Sequence, residues 1–138
     1  MELAQTRYSA AGLDDLTAIR QFVESTVTAV HPNPNAVSEL IIALNEAVTN
    51  IIVHGYRGQP GPIEIVVESS DRLLRVRLRD QAPVFDPTSA PVPDVTLPLE
   101  QRPLGGLGVH MMRQFVDNLQ YQAISSGGNE LTLEKEMA

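Results

Sequence analysis

Apolar residues along this chain keep two different periods, and the switch between them divides it into elements. From Leu16 to Val30 the positions Leu16, Ile19, Val23, Val27 and Val30 recur at steps of three and four, the spacing of one face of an amphipathic helix. His31-Pro32 ends it, because the residue before a proline is pushed out of the helical region. Asn33-Pro34 or Asn35 then offers an N-cap for a second helix. Its stripe of Val37, Leu40, Ile41, Leu44, Ala47, Val48, Ile51 and Ile52 is wide enough to be buried and stops at Gly55.

After Gly55 the period drops to two. Ile63, Ile65 and Val67 lead to the turn Ser69-Ser70-Asp71-Arg72, and then Leu74, Val76 and Leu78 alternate with Arg75, Arg77 and Arg79. This predicts two antiparallel strands with one apolar and one charged face, the second closed by Asp80. Residues 81–104 hold six of the ten prolines and little periodicity, which predicts a long functional loop of the lid type. Gly105-Gly106-Leu107-Gly108 then opens a third helix with Val109, Met112, Val116 and Leu119 on one face. Leu119 to Ser125 and Glu130 to Glu136 predict a final hairpin around Ser126-Gly127-Gly128-Asn129. With a short strand near residues 2–8, the order is β-α-α-β-β, lid, α-β-β. That is an α+β two-layer sandwich with helices on one face of a mostly antiparallel, mixed sheet.

The 138 residues suit one domain over 1–138, and 43% hydrophobic content supports a core. No apolar run approaches the roughly 20 residues of a membrane span. Met1-Glu2-Leu3-Ala4-Gln5 lacks the basic start of a secretory signal. A cytoplasmic protein with no membrane contact is therefore expected. The absence of cysteine removes disulfides, thiol catalysis and Cys-ligated zinc. A net charge of -7 is a poor match for direct nucleic-acid binding. Nine of the ten basic residues are Arg, and the one lysine is Lys135. Phosphate-loop NTPases need a lysine in their glycine-rich loop, and eukaryotic-type kinases need one on an early strand. Any nucleotide chemistry here must do without both.

Three features could carry such chemistry. Glu46, Asn50 and His54 follow at four-residue steps, each rotated by about 40°, as one polar ridge beside a buried stripe. An Asn carbonyl oxygen suits Mg²⁺, and a Glu can accept a proton from an attacking hydroxyl. A solvated helix face ended by His54 explains the same spacing. The glycines before the third helix suit phosphate, through backbone N–H groups and the helix dipole. They suit a plain loop-to-helix turn equally. Asp80 could accept a hydrogen bond from an adenine amino group, or form an Asx-turn. The Arg75, Arg77 and Arg79 row could bind an acidic partner. Facing Glu64 and Glu68 across the hairpin, it reads better as a salt-bridged solvent face.

Three motifs together resemble a known family. Leu44-Asn45-Glu46-Ala47-Val48-Thr49-Asn50-Ile51-Ile52-Val53-His54-Gly55-Tyr56 resembles the N-box of RsbW-type anti-sigma-factor serine/threonine kinases, a branch of the GHKL (histidine-kinase-like) ATPases. Asp80-Gln81-Ala82-Pro83-Val84-Phe85-Asp86-Pro87 resembles that branch's adenine box, and Gly105-Gly106-Leu107-Gly108-Val109-His110-Met111-Met112-Arg113 its second glycine box. The boxes stand in family order, and the resemblance covers essentially the whole chain. The resemblance implies a Bergerat-type ATP-binding fold and ATP with Mg²⁺ as cofactors. Asn50 would hold the metal, and Glu46 would be the general base. Asp80 and Ala82 would lie at the adenine, with Gly105, Gly106, Leu107 and Gly108 at the phosphates. The implied substrate is a serine or threonine of an anti-anti-sigma (STAS-type) protein, the other partner is a sigma factor, and a homodimer is a further option.

Many GHKL members have Gly where this chain has Ala82, and Ala82-Pro83 would narrow the backbone's approach to a nucleotide. No separate histidine-bearing helix pair is present, so His31, His54 and His110 are not expected as phosphoacceptors. Two other readings stay open: a nucleotide-binding partner-switching module without kinase activity, and an ATPase domain serving a histidine-kinase-like phosphorelay. Retention of both Glu46 and Asn50 argues against the first, and Phe85-Asp86-Pro87 against the second.

Overall fold

The computed structural model describes residues 1–31, 33–84, 86 and 106–136, with backbone alone for 106–110. Phe85, most of the expected lid (87–104) and Gly105 therefore lie outside the described residues. Five strands form one sheet: β1 (Glu2–Ala11), β2 (Gly61–Ser70), β3 (Leu73–Asp80), β4 (Asn118–Ala123) and β5 (Asn129–Glu136). Their order is β1-β2-β3-β5-β4. Every described pairing is antiparallel, so the expected mixed sheet is corrected to an antiparallel one. The first strand also runs further than residues 2–8, because pairing with β2 resumes past an irregularity at Ala11↔Gly61.

The first helix, α1 (Leu16–Val30), has the bounds its periodicity predicts. The second, α2 (Pro34–Asn50), is capped by Asn33, whose Oδ1 accepts from the N–H groups of Asn35 (3.1 Å) and Ala36 (3.3 Å). Pro34 follows, where its missing N–H is no loss. Beyond Asn50 the chain does not stay α-helical. Ile51–Gly55 widen into a π-helical turn, closed by Tyr56 N–H to Ile51 O at 2.8 Å.

The third helix, α3 (Gly106–Phe115), ends before Leu119. Val116 N–H still reaches Met112 O, but Asp117 N–H bonds to Glu134 O on β5. The sheet captures the backbone there, so Leu119 pairs with Leu133 as a strand residue rather than continuing the helix face.

The core lies between the helices and one sheet face. Alternation sends Ile63, Ile65 and Val67, then Leu74, Val76 and Leu78, then Leu131 and Leu133 to that face. They meet Ile19, Val23 and Val27 of α1 and the full apolar stripe of α2. The continuous helix Pro34–Gly55, 22 residues, is long and apolar enough to cross a bilayer. That corrects the expectation that no such stretch exists. Here 61% of its most apolar window is buried, and it packs against α1, α3 and β5.

The other sheet face is charged and paired. Arg79 meets Glu64 (3.4 Å) and Glu130 (2.6 Å), Arg77 meets Glu68 (2.8 Å), and Arg75 meets Glu134 (2.7 Å). The salt-bridged reading of the Arg row therefore holds, with half of the partners on β5. Lys135 falls on the core side of β5 and crosses to Glu39 of α2 at 2.5 Å. Burial pushes the Glu134 carboxyl upward, but bonds from Arg75 and Asn118 outweigh it and hold the carboxyl below the usual range.

Two substitutions test this packing. Leu44→Ala, at a fully buried position, should lower unfolding free energy by about 2–5 kcal/mol, read as a lower urea midpoint at unchanged slope. The lowered Glu134 pKa adds stability above the ordinary Glu pKa and loses it as pH falls through the folded value. Arg75→Ala should therefore destabilise by about 1 kcal/mol at neutral pH, Arg75 being partly exposed. The deficit should shrink as pH falls below the ordinary Glu range.

Candidate functional site

The apolar rows of the sheet end in polar residues on the core side. On β3 the row Leu74, Val76, Leu78 continues to Asp80; on β5 the row Leu133, Leu131 continues to Asn129. Register places Asp80 directly opposite Asn129, and each is only 6% exposed. Asn129 Nδ2 donates to Asp80 Oδ1 at 2.8 Å, and Ala82 N–H donates to the same oxygen at 2.9 Å, closing an Asx-type turn. Tyr121 O–H donates to Asn129 Oδ1 at 2.5 Å, which fixes which way the carboxamide faces. Burial pushes the Asp80 carboxyl up, and the two donated bonds pull it partly back. Both bonds go to Oδ1, which leaves Oδ2 to accept from a ligand.

The end of α2 faces this pair. Asn50 (7% exposed) lines a 20 Å³ cavity together with Ile51, Gly55, Asp80, Tyr121, Asn129 and Leu131. Its carboxamide has no hydrogen-bond partner among the described residues. An amide with free hydrogen-bonding capacity beside a cavity can be met by a ligand oxygen, a cation or water. No cluster of three or more His, Cys, Asp or Glu suited to a metal occurs among the described residues.

Glu46 sits one turn earlier on α2, half-buried, outside the residues that line this cavity. The π-helical turn displaces His54 as well. A turn closed by an i→i+5 bond needs more residues than an α-turn, so four residues fall short of a full rotation. The single straight ridge predicted from the spacing is broken after Asn50.

Ala82 is buried (2% exposed) in the turn after Asp80 and packs toward Gly55, where an added Cβ would lie 3.1 Å from the Ala82 Cβ. Gly106, Leu107 and Gly108 form the first turn of α3 rather than a loop before it, and α3 runs beside α2. Sequence reasoning missed Asn129, Tyr121 and Tyr56. The first two carried a signal: Asn129 keeps the parity of Leu131 and Leu133, and Tyr121 that of Leu119, so both fall on the buried face. Tyr56 carried none, since its partners are backbone groups of Pro62 and Gln81.

Residues 9–135 match the family described as histidine kinase-like ATPase domain. The chain belongs to that family. Its relatives put this histidine kinase-like ATPase in the RsbW-type, anti-sigma-factor branch. It is 32% identical over 100 residues to serine/threonine-protein kinase BtrW of Bordetella bronchiseptica, covering 72% of this chain and 70% of the relative. It is 27% identical to an anti-sigma F factor of Clostridium acetobutylicum, covering 86% and 83%. Serine-protein kinase RsbW of Bacillus cereus is 30% identical, over 61% of this chain and 55% of the relative. Among solved structures, histidine kinase AdeS of Acinetobacter baumannii superposes with a TM-score of 0.51, covering 99% of this chain and 69% of that one. At 13% identity this likeness concerns the fold alone.

Asp80→Asn keeps an oxygen for both donated bonds and removes the buried charge. Because the folded pKa of Asp80 is raised, its stabilising contribution is complete below the ordinary Asp pKa and is lost as pH rises through the folded value. Without nucleotide, Asp80→Asn should therefore melt at the same or a higher temperature than the native chain at pH 7. The gap should close below roughly pH 4, read by thermal scans at both pH values.

Proposed function

We propose that this chain is an ATP-dependent protein serine/threonine kinase and anti-sigma factor of the cytoplasm. It phosphorylates an anti-anti-sigma (STAS-type) protein and, when not so engaged, sequesters a sigma factor. The observation that carries the reading is the convergence of a buried carboxylate, Asp80, and a carboxamide that makes no hydrogen bond to the described residues, Asn50, on one cavity at the ends of β3 and α2. The names of the relatives add to it: serine/threonine-protein kinase, anti-sigma F factor, serine-protein kinase.

In this reading Asp80 accepts the adenine amino group, with Ala82 beside it, while Asn50 holds Mg²⁺. Gly106, Leu107 and Gly108, in the first turn of α3, offer backbone N–H groups to the phosphates, and Gly105, outside the described residues, is assigned to the same group. The metal, when bound, neutralises charge on the triphosphate. Glu46 takes the proton from the partner's serine or threonine hydroxyl as that oxygen bonds to the γ-phosphorus and ADP leaves. Positioning and electrostatics supply most of the acceleration in such a transfer. No lysine is required, and Lys135 is occupied with Glu39.

A second reading is a switching module that binds nucleotide without transferring phosphate. One observation favours it: Glu46 is not among the residues lining the cavity with Asn50 and Asp80. The decisive experiment incubates the protein with labelled ATP, Mg²⁺ and a candidate anti-anti-sigma protein, beside Glu46→Ala. Serine or threonine phosphate on the partner, reduced at least about 100-fold in the variant, is the expected result. Tight ATP binding with no transfer would replace the kinase by the module. Asn50→Ala should weaken Mg-ATP binding by about tenfold or more while ATP without metal binds equally weakly to both proteins.

A further inference from the structure

Three elements press on the short segment Asp80–Ala82. In the β4–β5 turn, Gly128 (φ 97°) lies so close that a Cβ there would overlap the Asp80 carbonyl oxygen. On the helix side, Gly55 faces Ala82. Between them stands Tyr56, immediately after the π-helical turn. Its hydroxyl accepts from Gln81 N–H at 2.7 Å and donates to Pro62 O at 2.5 Å. The ring is seated over Gly61, where an added Cβ would stand 2.5 Å from ring carbons. One phenol thus ties the end of the α2 segment, the start of β2 and the residue after Asp80.

We propose that Tyr56 is a positioning residue for the Asp80 carboxylate and thereby sets a preference for adenine over guanine nucleotides. The inference rests on the reading that Asp80 receives the base. The Asx-type turn that orients Asp80 closes through the Gln81 peptide, since Ala82 N–H bonds back to Asp80 Oδ1. The Tyr56 hydroxyl fixes that peptide by its N–H. A carboxylate held in place accepts from the amino group of adenine and repels the carbonyl oxygen that guanine presents at the equivalent position. A carboxylate free to swing away does neither well, so base discrimination depends on the clamp and not on Asp80 alone. Burial, then the nearby Asp80 charge, keep the phenol protonated against the pull of the Gln81 bond, so it remains a donor to Pro62 O.

The test measures equilibrium binding of Mg-ATP and Mg-GTP to the full chain, to Tyr56→Phe and to Asp80→Asn, with thermal scans of each. Tyr56→Phe should lose about five- to tenfold in ATP affinity, the scale of one hydrogen bond, with GTP affinity little changed. The ATP:GTP ratio then falls by the same factor. Equal weakening of both nucleotides, or an unchanged ratio, would overturn the proposal and leave Tyr56 a packing residue. If the native chain prefers neither base, or Asp80→Asn keeps the native preference, the adenine reading of Asp80 falls and the proposal with it. Should Tyr56→Phe not fold, Gln81→Pro removes the same bond from the amide side. It should reproduce the fall in ratio, and an unchanged ratio there overturns the proposal equally.

Discussion

The carboxylate of Asp80 stands where the hydrophobic rows of the sheet run out, on the core side and nearly out of reach of water. Withdrawing such a group from water costs several kcal/mol unless partners replace the lost hydration. Asn129 and the Ala82 amide replace part of it, both at Oδ1. What surrounds the carboxylate follows from keeping it there. Tyr121 fixes the Asn129 carboxamide, Gly128 and Gly55 give up side chains so that backbone can close around Asp80–Ala82, and Tyr56 pins the following peptide. The carboxylate closes an Asx-type turn through the Ala82 amide and keeps one oxygen able to accept.

The helix opposite divides its length between two tasks. From Val37 to Val48 it presents an apolar stripe to the sheet, and that stripe accounts for much of the core. At Asn50 the stripe ends in an amide that lines the cavity, and the backbone widens into a π-helical turn, a feature that recurs at functional sites. The same residues therefore fix the cavity's rigid wall and its open polar group. At the far end of the helix the Lys135–Glu39 pair joins α2 to β5, well away from this chemistry along both elements.

On the proposed reading the division has a functional sense. Asp80 and Asn50 are preorganised by packing, whereas Glu46 lies one turn outside the cavity on the same helix. The paired charges on the opposite sheet face leave that surface without an unsatisfied cationic patch among its Arg75, Arg77 and Arg79 side chains.

Helix α1, the Asn33 cap, the β2–β3 hairpin and the salt-bridged Arg row were legible in the sequence, because period, caps and turns are local properties. Glu46, Asn50 and Asp80 stood out in the sequence because polar residues interrupt or end apolar patterns at those positions. Other features depended on contacts between distant segments. Leu119 left the third helix because the Glu134 carbonyl captured the Asp117 amide. The ridge from Glu46 to His54 broke because α2 closes with a π-helical turn, and no local spacing announces that. Asn129, Tyr121 and Tyr56 became site residues only when strand register and turn packing brought them to Asp80, across 49, 41 and 24 positions of chain respectively. The sequence by itself determined which segments fold and which side chains could do chemistry; the tertiary structure decided which of them meet, because hydrogen-bond partners are chosen in space.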